Sequence, residues 1–157
     1  MRHAKSDWSG GHDDHARPLN KRGRRTAPRV AAHLASIGWA PDVVISSDAA
    51  RTRETWAGMS ATFPEVEPTF TRSLYLSGPA EIVDCVCRLP PEVGTALVLG
   101  HNPGWSFACH WLAGADVDMK TADAALLEID DDEWPSAATR HDWTFVELVC
   151  ARSLEDG

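Results

Sequence analysis

The order of apolar runs and helical patterns in this 157-residue chain predicts an α/β domain, a mostly parallel sheet flanked by helices on both faces. Three observations carry that prediction. Residues 41–47 and 95–100 are short apolar runs bounded by turn formers, the pattern of strands buried on both faces. A helical pattern follows each run at once, over about 49–60 and 103–113. Residues 124–129 and 143–149 read as two further strands with an acidic turn at 130–133. The length suits one domain over 1–157 with a real core.

In chain order, residues 6–16 are polar and turn-rich and predict an exposed loop. Asn20 is a plausible N-cap for a helix to about residue 36, ended by Gly38. Pro28 is expected to kink or restart that helix, because it lacks an N–H donor. Ser47 or Asp48 can cap the helix after the first strand, and on that helix Arg51 and Thr55 share a face. Residues 61–78, with Pro64 and Pro68, are expected to be irregular. Pro79 opens a helix to about 89, which Pro90-Pro91 stops. After the run 95–100 comes His101, and Asn102-Pro103 opens the next helix, aiming free N–H groups at whatever His101 touches.

Composition narrows the function classes. No apolar run approaches the ~20 residues that span a bilayer, and the basic start is not followed by a signal-like apolar stretch. The expectation is a cytoplasmic protein that engages no membrane. Net charge is −8, spread unevenly: residues 1–53 carry ten Lys and Arg against five acids, and the remainder five against eighteen. That acidic remainder repels a long polyanion, so nucleic acid is not an expected partner. A local positive pocket for one phosphate group fits better. Most of Lys21, Arg22, Arg24, Arg25 and Arg29 read as a solvated helix face. Cys85, Cys87, Cys109 and Cys150 match no redox or zinc spacing and are expected to be buried, reduced thiols. His12-Asp13-Asp14-His15 resembles a ligand string but lies on a Gly-flanked loop with no distant partner set, so it is read as solvated.

Four fragments carry chemistry: Arg2-His3-Ala4, Arg17-Pro18-Leu19, Ser47-x-x-x-Arg51-x-x-x-Thr55 and Gly100-His101-Asn102-Pro103. They supply two imidazoles and three guanidiniums. A neutral imidazole is a competent nucleophile and leaving group, and fork-shaped arginines bind phosphate oxygens bidentately. Phosphoryl transfer asks mainly for positioning and charge stabilisation. Taken singly, each fragment has a bland reading: a loose terminus, a capping histidine, surface ion pairs. Taken together, in this order, they do not.

These fragments resemble the histidine phosphatase superfamily, which includes the cofactor-dependent phosphoglycerate mutases, and within it the small SixA-like phosphohistidine phosphatases. The resemblance implies a phosphoglycerate mutase-like fold. It makes His3 the nucleophile and Arg2, Arg17 and Arg51 ligands of phosphate oxygens, with His101 bonded to the phosphoryl group and Ser47 and Asn102 substrate-binding. It implies no metal and no cofactor. The implied activity is phosphohistidine hydrolysis on a protein or small phosphoramidate. The alternatives are a phosphomonoesterase on a sugar or nucleotide phosphate, and a non-catalytic phosphate-binding protein of the same fold.

Two departures set further expectations. The family places its Arg-His at the end of an apolar first strand, which is missing here. A gap in the sheet, a nucleophile on a frayed terminus, and a true start upstream of Met1 or a truncated chain are therefore expected. No general acid is evident either: Glu54, Glu65 and Glu81 sit in no matching motif, which favours a leaving group that needs little protonation. Trp8 and Trp105 flank the site fragments and are expected at its rim.

Overall fold

The computed structural model describes residues 1–154. Three parallel strands form one sheet: β1 (Val43–Ser47) lies between β2 (Pro68–Thr71) and β3 (Ala96–Leu99). β4 (Ala124–Glu128) and β5 (Thr144–Val149) pair antiparallel in a second sheet. The helices are α1 (Lys21–Ser36), α2 (Ala50–Met59), α3 (Pro79–Val86), α4 (Gly104–Ala113) and the short α5 (Trp134–Ala138). Successive strand residues point to opposite faces, and β1 shows the result. Val44 joins a core with Ala27, Val30 and Trp56 of α1 and α2. Ile45 joins another with Ile82, Trp105 and Cys109 of α3 and α4. Helices therefore cover both faces, as the apolar runs require.

The local expectations hold at several points. Asn20 caps α1 by accepting from the Gly23 N–H, and Gly38, at φ 81°, follows its end. α1 nevertheless runs through Pro28 without restarting. That proline lies where α1 and α2 meet at Gly58, so interhelical packing holds the turn. Strand β2 falls inside the segment expected to be irregular. Its Pro68 is the first residue of an edge strand, where a missing N–H costs little. α3 stops at Val86, and α5 follows the acidic turn. Among the four free thiols only Cys109 is buried, and Cys150 is exposed. Trp105 is a core residue, 4% exposed, and does not line the rim.

Residues 1–4 join the two sheets. The Met1 amine donates to Val98 O at 2.8 Å, the Gly100 N–H to Met1 O at 3.0 Å, and the His3 N–H to Gly100 O at 3.0 Å. On the other side the Arg2 N–H donates to Asp123 O at 3.0 Å and the Ala122 N–H to His3 O at 2.9 Å. The Ala4 N–H donates to Thr55 Oγ1 at 3.0 Å. Beyond Met1, between β3 and β4, lies an apolar cavity of about 700 Å³, bordered by Trp39, Leu97, Val98, Ala124 and Leu126. The expected gap is there. The expected fraying is not: Met1 and His3 are each 6% exposed. Three consecutive residues, bonded from both sides, are enough to fix the segment. Burial lowers the Met1 amine to about 6.

The segment then turns back along α1. The Asn20 N–H donates to Lys5 O at 2.9 Å, and Ser6 bridges Leu19. Gly23 permits this approach, since a Cβ there would lie 2.2 Å from Lys5 O. Gly23→Ala should therefore lower stability by about 1–3 kcal/mol despite alanine's better helix propensity. A reduced urea midpoint at unchanged slope would show it.

Candidate active site

At the carboxyl ends of the strands, one pocket of about 220 Å³ is lined by Arg2, His3, Arg17, Arg51, His101 and Asn102, together with Trp8, Asp14 and Leu76. This is where ligands bind in open α/β sheets. Residues separated by as many as 100 positions meet here because each sits at or near an element end. Arg2 and His3 leave the bridging segment. Arg51 lies in the first turn of α2, and His101 follows β3 after Gly100. Arg17 sits on the returning loop, held by Ser6 Oγ and by Asp14 at 2.9 Å.

His3 Nδ1 lies 2.7 Å from Ala4 O. A carbonyl only accepts, so Nδ1 carries the hydrogen and Nε2 keeps its lone pair. The His3 and His101 ring centres are 5.4 Å apart. His101 Nε2 lies 2.8 Å from Ser47 Oγ, a hydroxyl that also accepts from the Ala49 N–H at 3.3 Å. His101 Nδ1 is buried without a protein partner. Burial, reinforced by Arg51, Arg2 and Arg17, lowers His3 to about 3 against its Ala4 bond. Burial and then Arg51 lower His101 likewise to about 3. Both rings are neutral at physiological pH.

The guanidiniums are anchored at their tips. Arg2 Nη1 donates to Met119 O at 2.9 Å. Arg51 donates through Nη1 to Asp14 O at 2.6 Å and through Nη2 to Asp14 Oδ2 at 3.1 Å. The Nε atoms of Arg2, Arg17 and Arg51 are all buried and have no protein partner. Three guanidiniums lining one small pocket, with Asp14 beside them, give it a positive field suited to an anion.

The structure reassigns some residues. Ser47 is fully buried and absent from the pocket lining, so it acts on His101 and does not reach a substrate. Asn102 does line the pocket, but its amide donates to Met119 O at 2.9 Å and accepts from the Ser106 N–H at 3.2 Å. The start of α4 is likewise engaged: the Trp105 N–H donates to His101 O at 3.1 Å. It does not aim free N–H groups at the site. The expectation of a solvated Asp14 does not hold, and Tyr75 joins it at the site. Asp14 accepts from Arg17, Arg51 and the Tyr75 hydroxyl. Those bonds, that of Tyr75 foremost, hold its carboxyl well below the usual range. The available signal was Asp14 three residues before Arg17, a spacing suited to an ion pair. Glu54 and Glu81 accept from the Leu19 and Gly78 N–H groups, and among the described residues no glutamate lines the pocket.

Comparison with known proteins agrees with this geometry. Residues 1–74 match the model of the histidine phosphatase superfamily (branch 1). An uncharacterised chloroplastic protein of Arabidopsis thaliana is 37% identical, the match covering 87% of this chain and 68% of that protein. An uncharacterised protein of Mycobacterium tuberculosis is 33% identical over 96% of this chain and 94% of its own length. A structure from Nakamurella multipartitia assigned as a phosphohistidine phosphatase SixA superposes with a TM-score of 0.82 at 28% identity, covering 94% of this chain and 91% of that one. The protein histidine phosphatase SixA complexed with tungstate shares the fold at a TM-score of 0.83 and 20% identity, covering 98% and 96%. The fold, the Arg2-His3 start and these relatives place the chain in the histidine phosphatase superfamily, in its small SixA-like group.

Proposed function

We propose that the protein is a metal-independent phosphatase that hydrolyses phosphohistidine, on a protein or a small phosphoramidate, through a phosphorylated His3. The carrying observation is that Arg2, Arg17, Arg51 and His101 line one small pocket with His3, whose Nδ1–H is taken up by Ala4 O and whose Nε2 keeps its lone pair. In the first step Nε2 attacks phosphorus and the substrate P–N bond breaks. The departing imidazole needs no proton from the enzyme when its other nitrogen already carries one. In the second step water attacks phosphorus, the P–Nε2 bond breaks, and inorganic phosphate leaves while His3 returns to its starting form. Arg2, Arg17 and Arg51 hold the equatorial oxygens, where transition-state charge develops, and His101 Nδ1–H donates to one of them.

The absence of a glutamate from the pocket lining supports a phosphoramidate over a phosphoester among the described residues. Asp14, bonded by three donors and held ionised, is poorly suited to act as a general acid. The buried, bonded terminus argues for an enzyme over a passive binding protein, because it fixes the nucleophile in place.

His3→Ala should abolish the acid-labile phosphoenzyme and lower kcat at least about 10³-fold. A radiolabelled phosphate-transfer assay would check this, and phosphoenzyme persisting in the variant would refute the role. Arg51→Ala should weaken inhibition by orthovanadate about 10- to 100-fold, and Arg51→Lys should recover little of it, since an ammonium cannot reproduce the fork. Stability should rise with pH between about 3 and the ordinary histidine value of 6.5. In that window the unfolded chain binds protons that buried His3 and His101 refuse. Melting temperatures across the range would show the slope, and replacing both histidines should reduce it above about pH 5, where the carboxylates of the unfolded chain no longer titrate.

A further inference from the structure

Two large apolar side chains stand exposed on the lining of this polar pocket: Trp8, 75% exposed, and Leu76, 58% exposed. Scattered exposed apolar residues need no explanation, but a pair at one anion site does. Each is held in place at a cost. The Arg17 guanidinium lies 3.7 Å from the Trp8 ring centre and covers one face, while the rest of the indole meets solvent. Leu76 has φ 50°, a left-handed conformation in which a leucine side chain is strained. Such strain persists only where surrounding structure imposes it, and it concentrates at ligand sites. Here the flanking residues impose it. The Tyr75 hydroxyl is bonded to Asp14, and α4 closes on Ser77 so tightly that a Cβ at Gly104 would lie 1.8 Å from Ser77 O.

The pocket is small, about 220 Å³, against the ~300 Å³ at which sites for drug-sized ligands begin. It has room for a phosphoryl group, with a small ring set against the two exposed side chains at its edge. A hydrogen-bond acceptor is at hand as well, because Asp14 Oδ1 takes a single N–H, from Arg17 Nη2.

We propose that Trp8 and Leu76 form a leaving-group subsite for the imidazole ring of a phosphorylated histidine side chain, with Asp14 Oδ1 accepting the ring N–H. The subsite rests on the phosphohistidine reading and adds the residues that choose the leaving group. A planar ring is covered by the indole and the leucine side chain, and the carboxylate distinguishes imidazole from phenol.

Leu76→Gly tests this cleanly, since glycine adopts φ 50° without strain and the fold is preserved. Leu76→Asn, also tolerant of that conformation, is the second variant. For both, the expected result is an unchanged or higher melting temperature, unchanged inhibition by orthovanadate, and a KM for a phosphohistidine peptide raised about 10-fold. Trp8→Ala should raise that KM too and also weaken vanadate, because it uncovers Arg17. An unchanged KM in both Leu76 variants would overturn the subsite while leaving the phosphohistidine reading intact. A wild type that binds vanadate but cleaves phosphotyrosine or sugar phosphates faster than phosphohistidine would overturn both.

Discussion

The site depends on a short stretch of backbone pairing. Residues 1–3 bond to β3 on one side and to residues 122–123 on the other, and Ala4 bonds to Thr55 of α2. Each is an ordinary hydrogen bond worth about 1 kcal/mol net. Together they fix the backbone of His3 from three directions, so its imidazole can be aimed through a single further contact with Ala4 O. Arg51 and Thr55 share one face of α2, so the helix that contributes a guanidinium also braces the segment that carries His3.

Around that fixed point the electrostatics are deliberately unbalanced. Three guanidiniums line a small pocket and Asp14 is the carboxylate among them. Burial first, and then the resulting field, keep both imidazoles neutral. The buried Nε atoms of the three arginines are left without a protein partner. Asp14 ties the tips of Arg17 and Arg51 together through its two oxygens, an arrangement that a lysine ammonium would not reproduce.

The sequence made most of this readable, for identifiable reasons. The β1 and β3 runs are buried on both faces, so their composition is unambiguous, and the capping residue Asn20 and the terminating Gly38 mark α1. His3, Arg17, Arg51 and His101 are legible because strand ends and first helical turns are predictable places. β2 was hidden because an edge strand tolerates Pro68 and needs no continuous apolar run. Ser47 was misread because spacing shows which end of a strand a residue occupies, not whether its hydroxyl meets solvent or a neighbouring ring. Asp14 and Tyr75 were missed because their partners lie up to 61 positions away, on loops without periodicity. Pro28 did not interrupt α1, since a packed helix surface can outweigh one missing donor.

The way residues 1–4 are held bears on what a bound anion would do to the whole molecule. They bond to Val98 and Gly100 on one side and to residues 122–123 on the other, and Ala4 bonds to Thr55. The pocket gathers Arg2, Arg17, Arg51 and His101 from four separate parts of the chain. A ligand that engages all four works as a clasp between them, so its binding energy adds directly to the stability of the fold.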